Sequence, residues 1–243
     1  MSRKKREYDL SVIVAVDKTG GYANTHGIPW SFKADWKHFK KVTNGNVCIM
    51  GRKTYQDITN RRKKRSPNFR VLLPGRESYM ISTTRDEAQG VVNASSSIHE
   101  IQRTLPNDNR EIFVLGGRRL WVQYWYTFRQ IWMTIVPGEY ETTKKFPVEW
   151  LDKDYEIVEG YKEDTEEGEL TFIRYVRKVK YYTIQILRPQ LRKQFAKHFE
   201  ATGRLIKKDA YNSKITIINP NDHEISEIKR IGGLITTKKG LVK

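Results

Sequence analysis

The feature that most limits the fold is a nearly continuous apolar run near the start of the chain, Leu10–Val16, which reads LSVIVAV. It is rich in β-branched residues, and such runs are typical of strands that are covered on both faces. A second run of the same kind is Val47–Met50. Each run is followed by a turn and then by a helical pattern. This alternation of strand and helix predicts an α/β fold.

The composition sets wider limits. With 243 residues and a formal net charge of +17, the chain can bury a sizeable core in one large domain or in one domain with an addition. The charge favours anionic partners, namely nucleotides, polyglutamates, nucleic acid or an acidic membrane surface, without choosing among them. Cys48 is the only cysteine, so no intrachain disulfide is possible, and its apolar setting predicts a structural thiol.

Targeting signals are not apparent in the sequence. No apolar run approaches the length of a membrane span, and no hydrophobic segment follows the basic residues at the N-terminus. We therefore expect a soluble, cytoplasmic protein that has no membrane partner.

The remaining elements of the first three quarters of the chain follow from local patterns. Helices are predicted at 31–42, 51–58 and 97–105 and from Arg118, with Ser31 and Ser97 as caps. Further strands are predicted at 79–82, 111–115 and 130–136, a short one at 91–92, and an antiparallel hairpin at 155–161 and 170–179. The five adjacent cations from Arg61 to Arg65 repel one another and predict an exposed loop over 59–69.

The residues after Lys180 have a pattern of their own. A strand at 181–187 is followed by an amphipathic helix at 189–201, in which Leu191, Phe195 and Phe199 are four residues apart, and Gly203 is its predicted C-cap. A strand at 215–218 and a helix at 224–231 complete a β-α-β-α module rich in Lys and Arg. We therefore predict two domains, 1–179 and a small basic extension at 180–243.

One carboxylate stands out chemically. In the helix predicted to start near Ser31, Asp35 and Phe39 lie four residues apart on one face, close to Trp30. A carboxylate among apolar side chains is costly unless it is hydrogen-bonded, and its pKa should rise towards the range useful in proton transfer. The alternative is an ordinary acidic residue that offsets the helix dipole.

Several short motifs follow one another in a specific order. They are Ile13-Val14-Ala15-Val16, Pro29-Trp30 followed five residues later by Asp35, Phe39, Met50-Gly51-Arg52-Lys53-Thr54, Leu73-Pro74-Gly75-Arg76, Ile81-Ser82-Thr83, Leu115-Gly116-Gly117, Trp132-Met133-Thr134 and Phe146-Pro147. In these residues the chain resembles the dihydrofolate reductase family from about Tyr8 to Val179. The Asp at the carboxylate position is similar to that of bacterial or viral members. The tail after Lys180 has no counterpart in this resemblance.

The resemblance implies a fold and a reaction. The fold is α/β, with a predominantly parallel central sheet, a C-terminal antiparallel hairpin and flanking helices, to which the tail adds a small α+β module. The reaction is the NADPH-dependent reduction of 7,8-dihydrofolate to 5,6,7,8-tetrahydrofolate, with hydride transfer to C6 and protonation at N5. It would serve one-carbon metabolism and nucleotide biosynthesis and would be an antifolate target. No metal site is predicted.

Roles for single residues come from the same resemblance. Asp35 would bind N3 and the 2-amino group of the pterin, Thr134 would orient Asp35, and Trp30 would help to hold an ordered water. The substrate-binding residues implied are Ile13, Val14, Ala15, Ile28, Phe39, Ile58, Leu73, Leu115 and Arg76, the last on the α-carboxylate of the glutamate tail. The cofactor-binding residues implied are Ala15, Tyr22, Ala23, Gly51, Arg52, Lys53, Thr54, Ser82, Thr83, Gly116, Gly117, Arg118, Arg119, Leu120 and Trp121. Within that set, Arg52 and Lys53 would meet the 2′-phosphate, and the bond between Gly116 and Gly117 would be cis.

The chain also departs from the family pattern. Tyr22-Ala23 stands where the loop over the nicotinamide commonly has Ile-Gly, and Ile28 takes the place of a common Met. The segment 142–145 reads Thr-Thr-Lys-Lys instead of Gly-Asp-Thr, so an Asp that normally helps to hold the loop closed is absent. The cationic stretch lies close to the expected folate tail, and we hypothesise that Arg61–Arg65 favour polyglutamylated dihydrofolate.

Two other functions stay open at this point. One is a pyrimidine reductase of the riboflavin pathway, which shares the fold. The other is a reductase-fold binding or structural protein whose basic tail contacts nucleic acid or a protein partner, with Tyr181, Tyr182 and Tyr211 as stacking residues. The simpler interpretation of these tyrosines is that they pack the core of the tail itself.

Overall fold

The computed structural model describes residues 10–83, 88–106, 108–178, 180–201, 205–209, 213–218, 220, 222–230 and 233–239. The chain divides into two compact units between Arg177 and Lys178. This division lies two residues before the end of the predicted first domain.

The first unit is built on an eight-stranded sheet. Its strands are β1 (Leu10–Val16), β3 (Val47–Gly51), β4 (Glu77–Ile81), β5 (Asn93–Ser95), β6 (Ile112–Gly116), β7 (Phe128–Ile135), β9 (Tyr155–Thr165) and β10 (Gly168–Arg177). The strand order is β5-β4-β3-β6-β1-β7-β10-β9. All neighbours are parallel except that β10 pairs antiparallel with both β7 and β9. The predicted sheet and its terminal hairpin are confirmed.

Among the described residues, a short ribbon and five α-helices complete this unit. The ribbon pairs β2 (Gly21–Ala23) with β8 (Lys144–Lys145), and the helices are α1 (Lys33–Thr43), α2 (Arg52–Arg65), α3 (Ile98–Thr104), α4 (Arg118–Gln123) and α5 (Leu151–Asp154). Both faces of the central strands are covered, whereas the edge strand β9 is largely exposed. In β1, Val12 and Val14 belong to one buried cluster while Ile13 belongs to the other, which is why this strand is apolar throughout.

Three local predictions need correction. Ser31 does not cap α1, because the N-cap position is Phe32 and it makes no side-chain cap bond. Residues 91–92 do not form a strand, since β5 begins at Asn93. The predicted loop at 59–69 is wrong for its first half, because α2 continues through Arg65.

The helix extension has a physical reason. Lys and Arg are good helix formers, and at the C-terminal end of a helix their charges interact favourably with the helix dipole. The helix ends just before Pro67, which cannot continue it. By contrast, the predicted cap at Ser97 is confirmed, since its hydroxyl accepts the amide N–H of Glu100 at 3.3 Å.

The second unit is a four-stranded antiparallel sheet with two helices. Its elements are β11 (Lys180–Gln185), α6 (Pro189–Ala201), β12 (Leu205–Asp209), β13 (Lys214–Ile218), α7 (Asp222–Arg230) and β14 (Leu234–Lys239). The strand order β12-β13-β11-β14 within a β-α-β-β-α-β chain is the ferredoxin-like arrangement. Strands β12 and β14 were not predicted, because each contains a pair of adjacent lysines, Lys207-Lys208 and Lys238-Lys239, that interrupts the apolar pattern.

The core of this unit includes Ile184, Phe199, Ile217 and Ile228, and Tyr182 packs against it. Tyr182 therefore serves the core, whereas Tyr211, the side chain of Tyr181 and the predicted cap Gly203 lie outside the described residues. Among the helices that the structure describes, none has the length and apolarity needed to cross a membrane.

Candidate active site

A cavity of about 690 Å³ opens where several parallel strands of the first unit end. Its walls include Ala15 near the end of β1, Gly51 at the end of β3, Ile81 at the end of β4 and Leu115 in β6. Crevices at the carboxyl ends of strands are the usual ligand sites of open α/β sheets, and this volume suits a small-molecule site. The site residues predicted above all line this cavity except Thr134, Arg76 and Gly116.

The carboxylate of Asp35 reaches the cavity from the first turn of α1. Burial raises its pKa above the ordinary value, and the hydroxyl of Thr134, which donates to it, offsets only part of that shift. Thr134 lies in β7 and is 2% exposed, so it is a fixed partner behind the cavity wall. The geometry thus brings together an acid and its orienting residue, which are about one hundred positions apart in the sequence.

Trp30 lies beside this carboxylate group in the same cavity. Its side chain is buried and packs against Tyr140, with ring centroids 4.9 Å apart. The indole Nε1 has no hydrogen-bond acceptor among the described residues. A buried donor of this kind needs a water or a ligand atom as its partner.

Apolar side chains form the next part of the cavity. Phe39 follows Asp35 by one helical turn, and Ile58 from α2 and Leu73 line the same cavity. Arg76 lies at the edge, with its guanidinium carbon 5.5 Å from the centroid of the Phe39 ring. It donates to the hydroxyl of Thr43 at 3.2 Å and to the carbonyl of Pro74.

Cations and glycines form the opposite part. Arg52, the first residue of α2, donates to Ser82 Oγ from Nε at 3.2 Å and from Nη2 at 2.7 Å. The peptide between Gly116 and Gly117 is cis, as the resemblance implies. Gly116 has a φ of +122°, and a Cβ there would lie 2.9 Å from Cζ2 of Trp121, so glycine is required.

Two of the segments that depart from the family pattern, at 22–23 and 142–145, pair with each other, and Tyr22, Ala23 and Lys144 from them line the cavity. The amide N–H of Thr143 donates to the carbonyl of Ala23 at 3.0 Å beside the β2–β8 ribbon. The hydroxyl of Tyr22 accepts the amide N–H of Arg118 at 3.3 Å, and Arg118 Nε donates to the carbonyl of Lys145 at 3.1 Å. The ribbon is thereby attached to the start of α4.

Some lining residues were not assigned to the site from the sequence. They are Ser31, Trp36, Asp57, Arg61, Ile81, Ser96, Gln123 and Lys144. Trp36 and Asp57 adjoin the predicted residues Asp35 and Ile58, so their positions in the sequence were a usable signal. Arg61 was placed in a loop, but in α2 its Nη2 donates to the carbonyl of Ile28 at 2.7 Å across the cavity mouth.

Comparisons with known proteins agree with this geometry. A family model described as dihydrofolate reductase matches residues 9–177. The dihydrofolate reductases of Staphylococcus haemolyticus and Bacillus subtilis are each 27% identical, and the matches cover 69% and 70% of this chain and 95% of each relative. A dihydrofolate reductase from Enterococcus faecalis, solved in complex with NADP(H), is 23% identical with a TM-score of 0.57, covering 70% of this chain and 96% of that one.

The family model spans the first unit and leaves the second outside. The family model matches well over half of the chain, and the buried carboxylate, the glycine pair and the cationic start of α2 lie within the matched residues. The chain belongs to the dihydrofolate reductase family.

Proposed function

We propose that the first unit reduces 7,8-dihydrofolate to 5,6,7,8-tetrahydrofolate with NADPH. The observation that carries this proposal is the buried carboxylate of Asp35, raised in pKa and oriented by Thr134, inside a cavity of about 690 Å³. A buried acid needs a specific partner, and the flat N–H edge of a pterin supplies two donors to one carboxylate.

Each side chain then has a task in the reaction. The carboxylate of Asp35 accepts from N3 and the 2-amino group of the pterin, and Thr134 fixes its orientation. The indole N–H of Trp30 holds a water through which a proton reaches N5. The apolar side chains of Phe39 and Ile58 hold the aminobenzoyl ring and exclude bulk water, while Arg76 at the edge meets the α-carboxylate.

The residues on the other side fit NADPH, which supplies the hydride that C6 receives. Arg52 and Lys53 offer cations for the 2′-phosphate at the start of α2. Ser82 positions the Arg52 guanidinium through two hydrogen bonds. The absence of a side chain at Gly117, which lines the cavity, lets the cofactor approach the backbone closely.

The direct test is the absorbance of NADPH in the presence of the purified full chain. We expect it to fall only after dihydrofolate is added. No consumption with both compounds present would contradict the proposal. A pyrimidine substrate with a ribityl phosphate should not be reduced, because Phe39, Ile58 and Leu73 give that part of the cavity an apolar lining.

The mouth of the cavity supports a finer proposal about the substrate. The extension of α2 carries Arg61 onto the cavity wall and continues through Arg65. Lys63, Lys64 and Arg65 are exposed in the last turn. We propose that these cations attract the additional carboxylates of a polyglutamylated folate, an attraction that salt should screen.

Charge reversal tests this proposal. In the variant Lys63→Glu/Lys64→Glu/Arg65→Glu, we expect KM for dihydrofolate pentaglutamate to rise about tenfold at low salt, because several weak ionic attractions become repulsions. KM for the monoglutamate should stay within about twofold, since none of the three residues lines the cavity. Reversal of Lys193, Lys197 and Lys229 in the second unit is the matched control. An unchanged KM for the pentaglutamate would refute the proposal.

The second unit suits a different partner. Residues 178–243 contain 15 Lys and Arg against five Asp and Glu. Three of the acids are already paired, Glu200 with Lys208 at 2.8 Å, Glu224 with His198 at 2.7 Å and Glu227 with Arg230 at 2.9 Å. Alternation in β11 and β13 places Thr183, Gln185, Lys214 and Thr216 on the face opposite the buried isoleucines.

We propose that this polar sheet face, which carries Lys214, binds single-stranded nucleic acid, as faces of four-stranded sheets do in other proteins. The full chain should retard a labelled single strand, and the retardation should weaken as salt rises. Lys214→Glu should weaken binding about threefold or more at low salt, whereas Lys229→Glu on α7 should have a smaller effect. No retardation, or an equal effect of the two variants, would contradict the proposal.

A further inference from the structure

Asp17 is a buried carboxylate that the proposed reaction does not use. It directly follows β1, and its side chain is 1% exposed. Its Oδ1 accepts three hydrogen bonds of 2.8 Å, from the amide and the hydroxyl of Thr19 and from the amide of Gly21. Its Oδ2 accepts from the amide of Tyr140 at 3.4 Å and from the hydroxyl of Thr142 at 3.2 Å. One side chain thus receives five donors.

The two oxygens serve two different segments. The Oδ1 bonds shape the turn between β1 and β2, which the backbone also closes through Asp17 N–H to the carbonyl of Gly21 at 2.8 Å. The Oδ2 bonds hold the segment that leads into β8. Because β2 supplies Tyr22 and β8 supplies Lys144 to the cavity wall, a single carboxylate fixes both strands of the ribbon.

The packing at this point leaves no room for adjustment. A Cβ placed on Gly21 would lie 1.8 Å from Thr142 Oγ1 and 2.8 Å from Asp17 Oδ2. Burial by itself would raise the pKa of Asp17, but the hydrogen bonds from Thr19, Gly21 and Tyr140 outweigh it and lower the pKa. The group is therefore an anion at neutral pH, and hydrogen bonds to an anion are stronger than hydrogen bonds to a neutral acceptor.

We propose that Asp17 is a positioning residue that holds the β2–β8 ribbon over the nicotinamide end of the cavity. The segment 142–145 lacks the aspartate that the family resemblance leads one to expect there, and the anchoring carboxylate comes instead from the base of the loop. The proposal rests on the proposed function, because it takes NADPH as the ligand beneath the ribbon. The proposal concerns the dissociation rate of NADPH and the alignment of its nicotinamide ring for hydride transfer.

The main test is Asp17→Asn, which preserves shape but turns an NH₂ group towards donors that need an acceptor. We expect NADPH to dissociate about tenfold faster, as measured by the change in its fluorescence when it is displaced. Single-turnover hydride transfer should slow by a similar factor. KM for dihydrofolate should change less than about twofold, because the residues bonded to Asp17, namely Thr19, Gly21, Tyr140 and Thr142, are not among those that line the cavity. If Asp17 had a purely structural role, the substitution would lower Tm, but it would not change NADPH release and hydride transfer while leaving KM for dihydrofolate nearly unchanged.

A milder pair of variants separates anchoring from misfolding. Thr142→Val removes only one donor to Oδ2 and should give about a threefold faster NADPH release, whereas Thr142→Ser keeps the hydroxyl and should behave like the wild type. Wild-type release rates in both Asp17→Asn and Thr142→Val would overturn the proposal. NADPH release is measured without turnover. If the wild-type protein failed to reduce dihydrofolate, the proposed function would be refuted, but the effect of Asp17 on NADPH release could still be measured.

Discussion

Replacing Asp35 by Asn should lower kcat for dihydrofolate reduction at pH 7 by about 10²- to 10⁴-fold while the protein stays folded. The amide is almost the same size, so the cavity keeps its shape. It cannot carry the negative charge that, in the proposed reaction, holds the pterin and favours the proton on N5. Asp164→Asn, an exposed change in β9, is the matched control and should leave the rate unchanged.

The same substitution should not destabilise the fold at neutral pH. Because burial raises the pKa of Asp35 in the folded state, the folded protein binds more protons than the unfolded chain between the ordinary pKa of 3.8 and the folded value. Stability from this group is therefore lost as pH rises through that window. The Asn variant avoids this loss, so its Tm at pH 7 should equal or exceed that of the wild type, and its advantage should vanish below the ordinary pKa.

Two measurements decide the matter, NADPH consumption and thermal unfolding followed by circular dichroism. Lost activity together with an undiminished Tm is the expected combination. An Asn variant as active as the wild type would remove Asp35 from the mechanism. A large fall in its Tm would mean that the carboxylate stabilises the fold, contrary to its raised pKa.

Replacing Arg52 by Gln should weaken NADPH binding by about 10- to 100-fold and leave NADH binding nearly unchanged. The guanidinium lies in the cavity at the start of α2 and is positioned by two bonds to Ser82 Oγ. A charge-assisted bond to a phosphate contributes more than a neutral one, and only NADPH carries the 2′-phosphate that would receive it.

Both dissociation constants can be measured by fluorescence titration without turnover. The ratio of the NADPH constant to the NADH constant is the decisive quantity, because a general disturbance of α2 would weaken both cofactors equally. Ser82→Ala should shift the same ratio in the same direction by a smaller factor, since it removes only the residue that positions the guanidinium. If the Arg52→Gln variant lost affinity equally for both cofactors, Arg52 would not be the residue that binds the 2′-phosphate.

The fold of the first unit could be predicted well, because its central strands are buried on both faces. Val12 and Ile13 pack into different clusters, so the strand pattern is strong and local. The strands β12 and β14 were missed because each contains two adjacent lysines, which are depleted in strands. Local sequence favours the wrong state wherever pairing with a neighbouring strand provides most of the stabilisation.

In the site, too, local features could be predicted from the sequence, whereas contacts between distant segments could not. The proximity of Asp35 and Phe39 follows from helical spacing, but the bond between Asp35 and Thr134 depends on a pairing of distant segments, and only the family resemblance suggested it. Arg61 and Lys144 belong to stretches where this chain departs from the family, so the resemblance placed Arg61 only near the folate tail and assigned no role to Lys144. Charge repulsion suggested a loop at Arg61–Arg65, whereas helix propensity and the helix dipole decided the outcome.

The continuity of α2 has a consequence for how the two ligands affect each other. Arg52 at its first position and Arg61 nine residues later are about 13 Å apart along one axis at 1.5 Å per residue. If Arg52 meets the cofactor phosphate and Arg61 lies beside the folate, as proposed, the contacts of both ligands act on one continuous helix. By thermodynamic linkage, if NADPH changes the affinity for the folate by some factor, the folate changes the affinity for NADPH by the same factor.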